Sequence, residues 1–314
     1  MVKNMKKKIL NIGSVTKDTI IRNNNEYTQI GGAVYYQSST LNTLKIDNTS
    51  IILIGEDGLE MISDFDLDND IHKIITKDCM KYTNIYLEDN TRIQKAYFPK
   101  YRIKIEDIEK LNIKADEYSQ AILSPLSPYE IDAQLIRYLK KADIETTLVI
   151  QGYIRQLDKD NNVIARKWDN YREYLKYTDI ISSDEYEFKT AFNVEISTKN
   201  MKKFIEDNSL KIVIITQASD GSTIYTKDEK IKIPAIKAKK EVDPTGLGDT
   251  YITSFISKKD ETTLFNAGIY AAICSKNKLE NKGVLKTSKN KIEKEYHELL
   301  NKISQNNKRN NNGQ

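Results

Sequence analysis

Short runs of β-branched residues recur along the chain, separated by stretches with helical spacing, and this alternation limits the fold more than anything else in the sequence. The runs are residues 8–12, 51–54, 120–123, 146–150, 179–182 and 211–216. By periodicity alone several would suit buried helix segments, but their length and Ile/Val content favour strands. Helical patterns occupy 33–44, 128–141, 184–192, 200–207 and 250–258. Strands alternating with helices predict an α/β fold of three layers, with a mostly parallel central sheet flanked by helices.

Two segments, 19–30 and 83–98, break that rhythm. The second alternates as Ile85, Leu87 and then Ile93, Ala96, Tyr97 around Asp89-Asn90, in the manner of a polar hairpin. Such pieces fold over one end of the sheet as a small β lid, or else form plain surface hairpins; the sequence leaves both open. Near the end, Ile292, Tyr296, Leu299, Leu300 and Ile303 recur at helical spacing, and the Asn/Lys-rich 304–314 is expected to be disordered. A single domain over 1–303 is therefore expected. No internal repeat is seen.

Composition excludes several functions. Lys+Arg number 49 against 45 Asp+Glu, interspersed, so the net charge of +4 makes no nucleic-acid footprint. The two cysteines, Cys79 and Cys274, form no CxxC pair and suit buried thiols rather than a zinc or redox site. With two histidines, a His-dependent triad finds no support; His297 falls on a charged helix and His72 on a strand edge. No 18-residue apolar run exists, and the run after the basic first eight residues is too short for a signal peptide. No membrane partner and a cytoplasmic location are expected.

Chemistry concentrates in Asp243-Pro244-Thr245-Gly246-Leu247-Gly248-Asp249-Thr250, directly before an amphipathic helix. A tight Pro/Gly loop at a helix start offers unpaired N–H groups and a positive dipole end to an anion. It is neither a Walker A loop nor a G-x-G-x-x-G fingerprint. Asp249 is suited either to capping the helix or to taking a proton from a hydroxyl that attacks a phosphoryl group held by those N–H groups.

The octapeptide resembles the C-terminal signature of the ribokinase (PfkB-type) family of small-molecule kinases, usually Asp-Thr/Pro-Thr-Gly-Ala-Gly-Asp. Other features follow in the family's order along most of the chain. Gly13 and Asp18 after the first strand resemble its opening, and Gly31-Gly32-Ala33-Val34-Tyr35-Tyr36 its Gly-Gly motif, although the family often has Asn where Tyr36 stands. Gln151-Gly152-Tyr153-Ile154-Arg155 is similar to an element of inositol- and nucleoside-kinase-like branches. Ser183-Asp184-Glu185-Tyr186-Glu187 resembles Asn-x-x-Glu with Asp184 in place of Asn, and Thr216-Gln217-Ala218-Ser219-Asp220-Gly221 a Thr-x-Gly-x-x-Gly loop with Ala218 in place of Gly. Residues 266–277 resemble the helix beside the adenine pocket.

The resemblance implies ATP-dependent phosphorylation of a sugar, polyol or nucleoside hydroxyl. Asp249 would be the general base, a role for which ordinary acidity suffices, with the N–H groups of Gly246, Leu247 and Gly248 as anion hole. Asp18, Gly31, Gly32 and Arg155 would bind the polyhydroxylated substrate. Thr216, Gly221, Thr245 and Asn277 would bind ATP, and Asp184 and Glu187 would hold Mg²⁺ through water. Each has a bland counterpart: a turn-forming Asp18, a flexible glycine pair, a surface Arg155, a capping box at Asp184 and Glu187. A homodimer is compatible with the resemblance. The rivals are a non-catalytic sugar- or nucleotide-sensing protein, which Ala218 and Leu247 would suit, and a dinucleotide oxidoreductase, which lacks its glycine fingerprint after the first strand.

Overall fold

The computed structural model describes residues 8–311 except 24, 66–69 and 90. Residues 1–7 of the basic lead, Asn24 and Asn90 of the two lid segments, and 312–314 of the tail lie outside that range.

Chain order begins β1 (Lys8–Ser14), β2 (Thr16–Arg22), β3 (Asn25–Gly31), α1 (Ala33–Thr43), β4 (Asn48–Gly55), β5 (Asp70–Thr76), β6 (Met80–Tyr86) and β7 (Arg92–Tyr97). It continues through α2 (Ile105–Lys110), β8 (Tyr118–Ser124), α3 (Ala133–Lys141), β9 (Glu145–Val149), β10 (Arg155–Leu157), β11 (Val163–Ala165) and α4 (Tyr171–Leu175). Then come β12 (Ile180–Asp184), α5 (Glu185–Phe192), α6 (Thr198–Asp207), β13 (Ile212–Thr216), β14 (Ser222–Tyr225) and β15 (Lys230–Ile233). Three helices close the chain: α7 (Leu247–Lys258), α8 (Leu264–Leu279) and α9 (Lys289–Asn311).

Nine strands form the central sheet in the order β15-β14-β13-β12-β9-β8-β1-β4-β5. From β13 to β5 all neighbours are parallel, and β14 and β15 add an antiparallel edge. Every predicted strand is in this sheet. Burial on both faces explains why they read as continuous Ile/Val runs: Leu10, Ile12, Ala121 and Leu123 point into one apolar layer, Ile9, Ile122, Ile180 and Ile214 into the other. His72 lies on the edge strand β5, and both cysteines are buried free thiols.

The two rhythm-breaking segments pair with each other in a separate four-stranded sheet, β3-β2-β6-β7, in which β2 and β6 run parallel. Only Val15 separates β1 from β2, so the chain passes straight from the central sheet into the small one.

The start of α3 falls at Ala133 rather than 128, because Asp132 accepts from the N–H groups of Gln134 and Leu135 and fixes the first turn there. Helix α9 runs to Asn311, past the point where irregular chain was expected at 304. Propagating a formed helix adds a hydrogen bond for each residue fixed, so Asn/Lys content alone did not end it.

Candidate active site

The carboxyl ends of the parallel strands are where an open α/β sheet offers a crevice, beside the point where strand order reverses, here between β1 and β8. Helices α3, α5, α6 and α8 are capped by the side chains of Asp132, Asp184, Ser197 and Thr263. Helices α1 and α7 instead begin at Gly32 and Gly246 with no capping side chain. They pack side by side, so two unstoppered helix starts lie next to each other.

At α7, Gly246 takes φ +77°, and a Cβ there would overlap the ring of Tyr36 on α1. Gly248 differs: a Cβ at that position would meet nothing within 4 Å, so packing gives no reason for glycine and the backbone is left open to approach. The Leu247 N–H is turned onto the loop itself, donating to Pro244 O at 3.3 Å. Of the three donors expected in the anion hole, that one is already weakly engaged.

Asp249 is the third residue of α7 and is largely, though not wholly, buried. Burial of its carboxyl, with the Glu187 charge adding to it and Arg155 and Lys278 opposing, lifts its pKa to about 7. Desolvation outweighs the two nearby cations, so the acidity is lower than the ordinary value that would suffice for a base.

On the other side, Thr16 Oγ1 donates to Asp18 Oδ1 at 2.7 Å. A Cβ on Gly31 would overlap the Asp18 carboxylate and the Thr16 hydroxyl, so this glycine makes room for the acid. Burial raises the Asp18 pKa to about 6 against the pull of Arg155 and Arg92. Arg155 Nη1 donates to Tyr82 Oη at 2.6 Å, and Tyr82 Oη donates onward to Leu126 O at 2.8 Å. Arg155 is thus half-buried rather than a loose surface side chain, and its field reaches Asp18, Glu187 and Asp249 alike.

Asp184 and Glu187 form a reciprocal capping box: Asp184 Oδ1 accepts from Glu187 N at 2.7 Å, and Glu187 Oε2 from Asp184 N at 3.0 Å. Glu187 Oε1 also accepts from Gln151 Nε2 at 2.6 Å, and burial raises its pKa. Among the described residues no cluster of three or more His, Cys, Asp or Glu side chains stands ready to cage an ion. The exposed Asp184, with one oxygen engaged in the cap, fits a hydrated Mg²⁺ carried mainly by phosphate oxygens.

Thr216 ends β13, and Gly221 turns the chain from β13 into β14. Ala218 adopts φ +48°, the left-handed conformation a glycine would supply. The Thr245 N–H donates to Asp243 Oδ1 at 2.9 Å in an Asx turn. Asn277 is not brought to this group: it is buried and donates to Ile273 O and the Glu295 carboxylate, tying α8 to α9. Its Nδ2 serves this helix interface, while its Oδ1 is buried with no partner among the described residues.

Lys278 was not legible as a site residue, since it sits in the Lys276-Asn277-Lys278 run of a Lys-rich chain. Its side chain is 0% exposed and its Nζ donates to Asp243 O at 2.7 Å.

The pfkB family carbohydrate kinase model matches residues 99–290, which include Arg155, Asp184, Glu187 and Asp249. Over 88 residues the chain is 42% identical to a nucleoside kinase of Methanocaldococcus jannaschii; the match spans 27% of each protein. It is similar in fold to a pyrophosphate-dependent kinase in the ribokinase family, complexed with a pyrophosphate analogue and myo-inositol (TM-score 0.77, 21% identity, 88% of this chain and 97% of that one). It is likewise similar to an Arabidopsis thaliana ribokinase complexed with ribose and ATP (TM-score 0.74, 18% identity, 93% and 99%). No helix among the described residues is long and apolar enough to cross a membrane. With its family signature covering more than half the sequence and its three-layer fold shared with ribokinase-family kinases, the chain belongs to the pfkB family of carbohydrate kinases.

Proposed function

We propose that the protein transfers a phosphoryl group from ATP to a hydroxyl of a small polyhydroxylated acceptor, either a sugar, a polyol such as myo-inositol, or a nucleoside. The observation that carries this reading is Asp249 in the first turn of an uncapped helix, beside a glycine that no packing requires.

The acceptor is held by Asp18, Arg155 and the backbone at Gly31 and Gly32. Asp249 accepts the hydroxyl proton as the oxygen attacks phosphorus, and a base with a pKa near 7 is half available at neutral pH. The N–H groups of Gly246 and Gly248 take up charge on the transferring group. Leu247 joins them if its 3.3 Å bond to Pro244 O yields, a small loss against a charged acceptor. Positioning and electrostatics of this kind account for most of phosphoryl-transfer catalysis. Thr216, Gly221 and Thr245 face the donor side. Asp184 and Glu187 would hold the waters of an Mg²⁺ bound with the donor, which would supply neutralisation of phosphate charge. The small sheet β3-β2-β6-β7 acts as a lid that limits water, suppressing hydrolysis of the donor.

The test is an ADP-release and thermal-shift screen of sugars, polyols and nucleosides, run with ATP and in parallel with pyrophosphate as donor. Acceptor-dependent ADP release supports the reading. ADP release at equal rate without acceptor refutes it. Stabilisation by ligands without any turnover favours the non-catalytic sensing role, and turnover with pyrophosphate alone replaces the donor.

A further inference from the structure

Asp243, at the head of the loop, has every polar atom engaged. Its N–H approaches Leu279 O at 3.3 Å, at the end of α8. Its Oδ1 accepts from Thr245 N and its Oδ2 from Gly283 N, both at 2.9 Å. Its carbonyl accepts from Lys278 Nζ at 2.7 Å, and the same ammonium lies 3.4 Å from Oδ2. The ammonium also sits 5.7 Å from the centre of the Tyr36 ring, which supports Gly246 from below. A lysine with no exposed side chain is costly unless its charge is used; burial lowers its pKa against the opposing charges of Asp243 and Asp249, and both its hydrogen bond and its ion pair are with Asp243, at the head of the loop.

Resting on the kinase reading above, we propose that Lys278 is a positioning residue for phosphoryl transfer: an internal cation that fixes the 243–249 loop through Asp243 and supplies positive potential beneath the anion-binding helix start. It touches neither substrate nor the reacting atoms and acts through Asp243 and through its field. Asp249 is faced by Glu187 from α5, Arg155 from β10, Tyr36 from α1 and Lys278 from α8. Of these, Lys278 and Arg155 favour its ionised form, while Glu187 opposes it.

Lys278→Met keeps the length and apolar bulk of the side chain and removes the charge. The expected result is a fall in kcat of roughly 10–100-fold with little change in acceptor KM. The acidic limb of the pH–rate profile should move to higher pH, because a cation that favours the Asp249 carboxylate is gone. Amide exchange over residues 242–249 should quicken, reporting the loosened loop directly. In Lys278→Ala, added propylammonium should restore part of the turnover and n-butanol should not.

Wild-type kcat with an unmoved acidic limb in Lys278→Met overturns the proposal, and so does equal rescue by n-butanol. If both variants fail to fold, Lys278 is a stability residue and the positioning role falls. The kinase reading is checked separately on the wild-type protein: without acceptor-dependent turnover there, that reading fails first.

Discussion

Asp249→Asn separates a catalytic carboxyl from a structural one, because the two roles predict opposite stability changes. The carboxyl's pKa rises from 3.8 in the unfolded chain to about 7 in the fold. A raised folded value means that the protonated acid is favoured by folding. That contribution is complete below pH 3.8 and is lost as pH rises through 7. Three units correspond to about 4 kcal/mol as an upper bound on what ionised Asp249 costs the fold at pH 8. Asn carries no such charge. The variant should therefore match wild type near pH 4 and become progressively more stable than it between pH 4 and 7. At about 2 °C per kcal/mol for a chain of this size, a gain of several degrees in Tm is expected at pH 8. Over the same range kcat should drop by roughly 10²–10⁴, the reach of a general base. In the wild-type protein kcat/KM should rise to a plateau above pH 7, with about a tenth of the plateau left at pH 6. Thermal melts at pH 4, 6 and 8 together with ADP-release rates test all of this. An acidic limb near pH 4, or an Asn variant that loses stability equally at every pH, would refute the reasoning.

Gly248→Ala should fold with a Tm equal to or slightly above wild type, since the new methyl meets open space in a helix, yet lose at least about tenfold in kcat by standing where the proposed phosphate approaches. Gly31→Ala pushes on the Asp18 carboxylate and should raise acceptor KM by more than about tenfold while leaving donor KM alone, measured by varying each substrate in turn. Ala218→Gly relieves a left-handed alanine at the cost of a freer unfolded chain, so chemical denaturation should show a net gain of at most about 1 kcal/mol. A clear loss there would mean that the Ala218 methyl makes a contact worth more than the strain.

Much of the fold was legible because the central strands are buried on both faces and so become unbroken Ile/Val runs. β15 was not, and β5 was read only as a strand edge at His72: Asp70-Ile71-His72-Lys73 and Lys230-Ile231-Lys232-Ile233 are edge strands whose polar residues look like loop. The Asp249 loop was legible as well, since its glycines and proline crowd a helix start. Its acidity was not, because desolvation depends on side chains that arrive from α1, α5 and α8. Lys278 and Asn277 show the same limit from opposite sides. Neighbours in sequence on one helix, they turn to different partners, Lys278 to Asp243 and Asn277 to Glu295, and only the packing around α8 decides which of them reaches the site.

The single-residue junction at Val15 ties two tasks together. Asp18 is on the small sheet, four residues beyond the end of β1, so in the proposed reaction the carboxylate that holds the acceptor belongs to the same sheet that shelters it. On that proposal capture and enclosure depend on one sheet, and a molecule too large to be covered would also be one that Asp18 fails to reach.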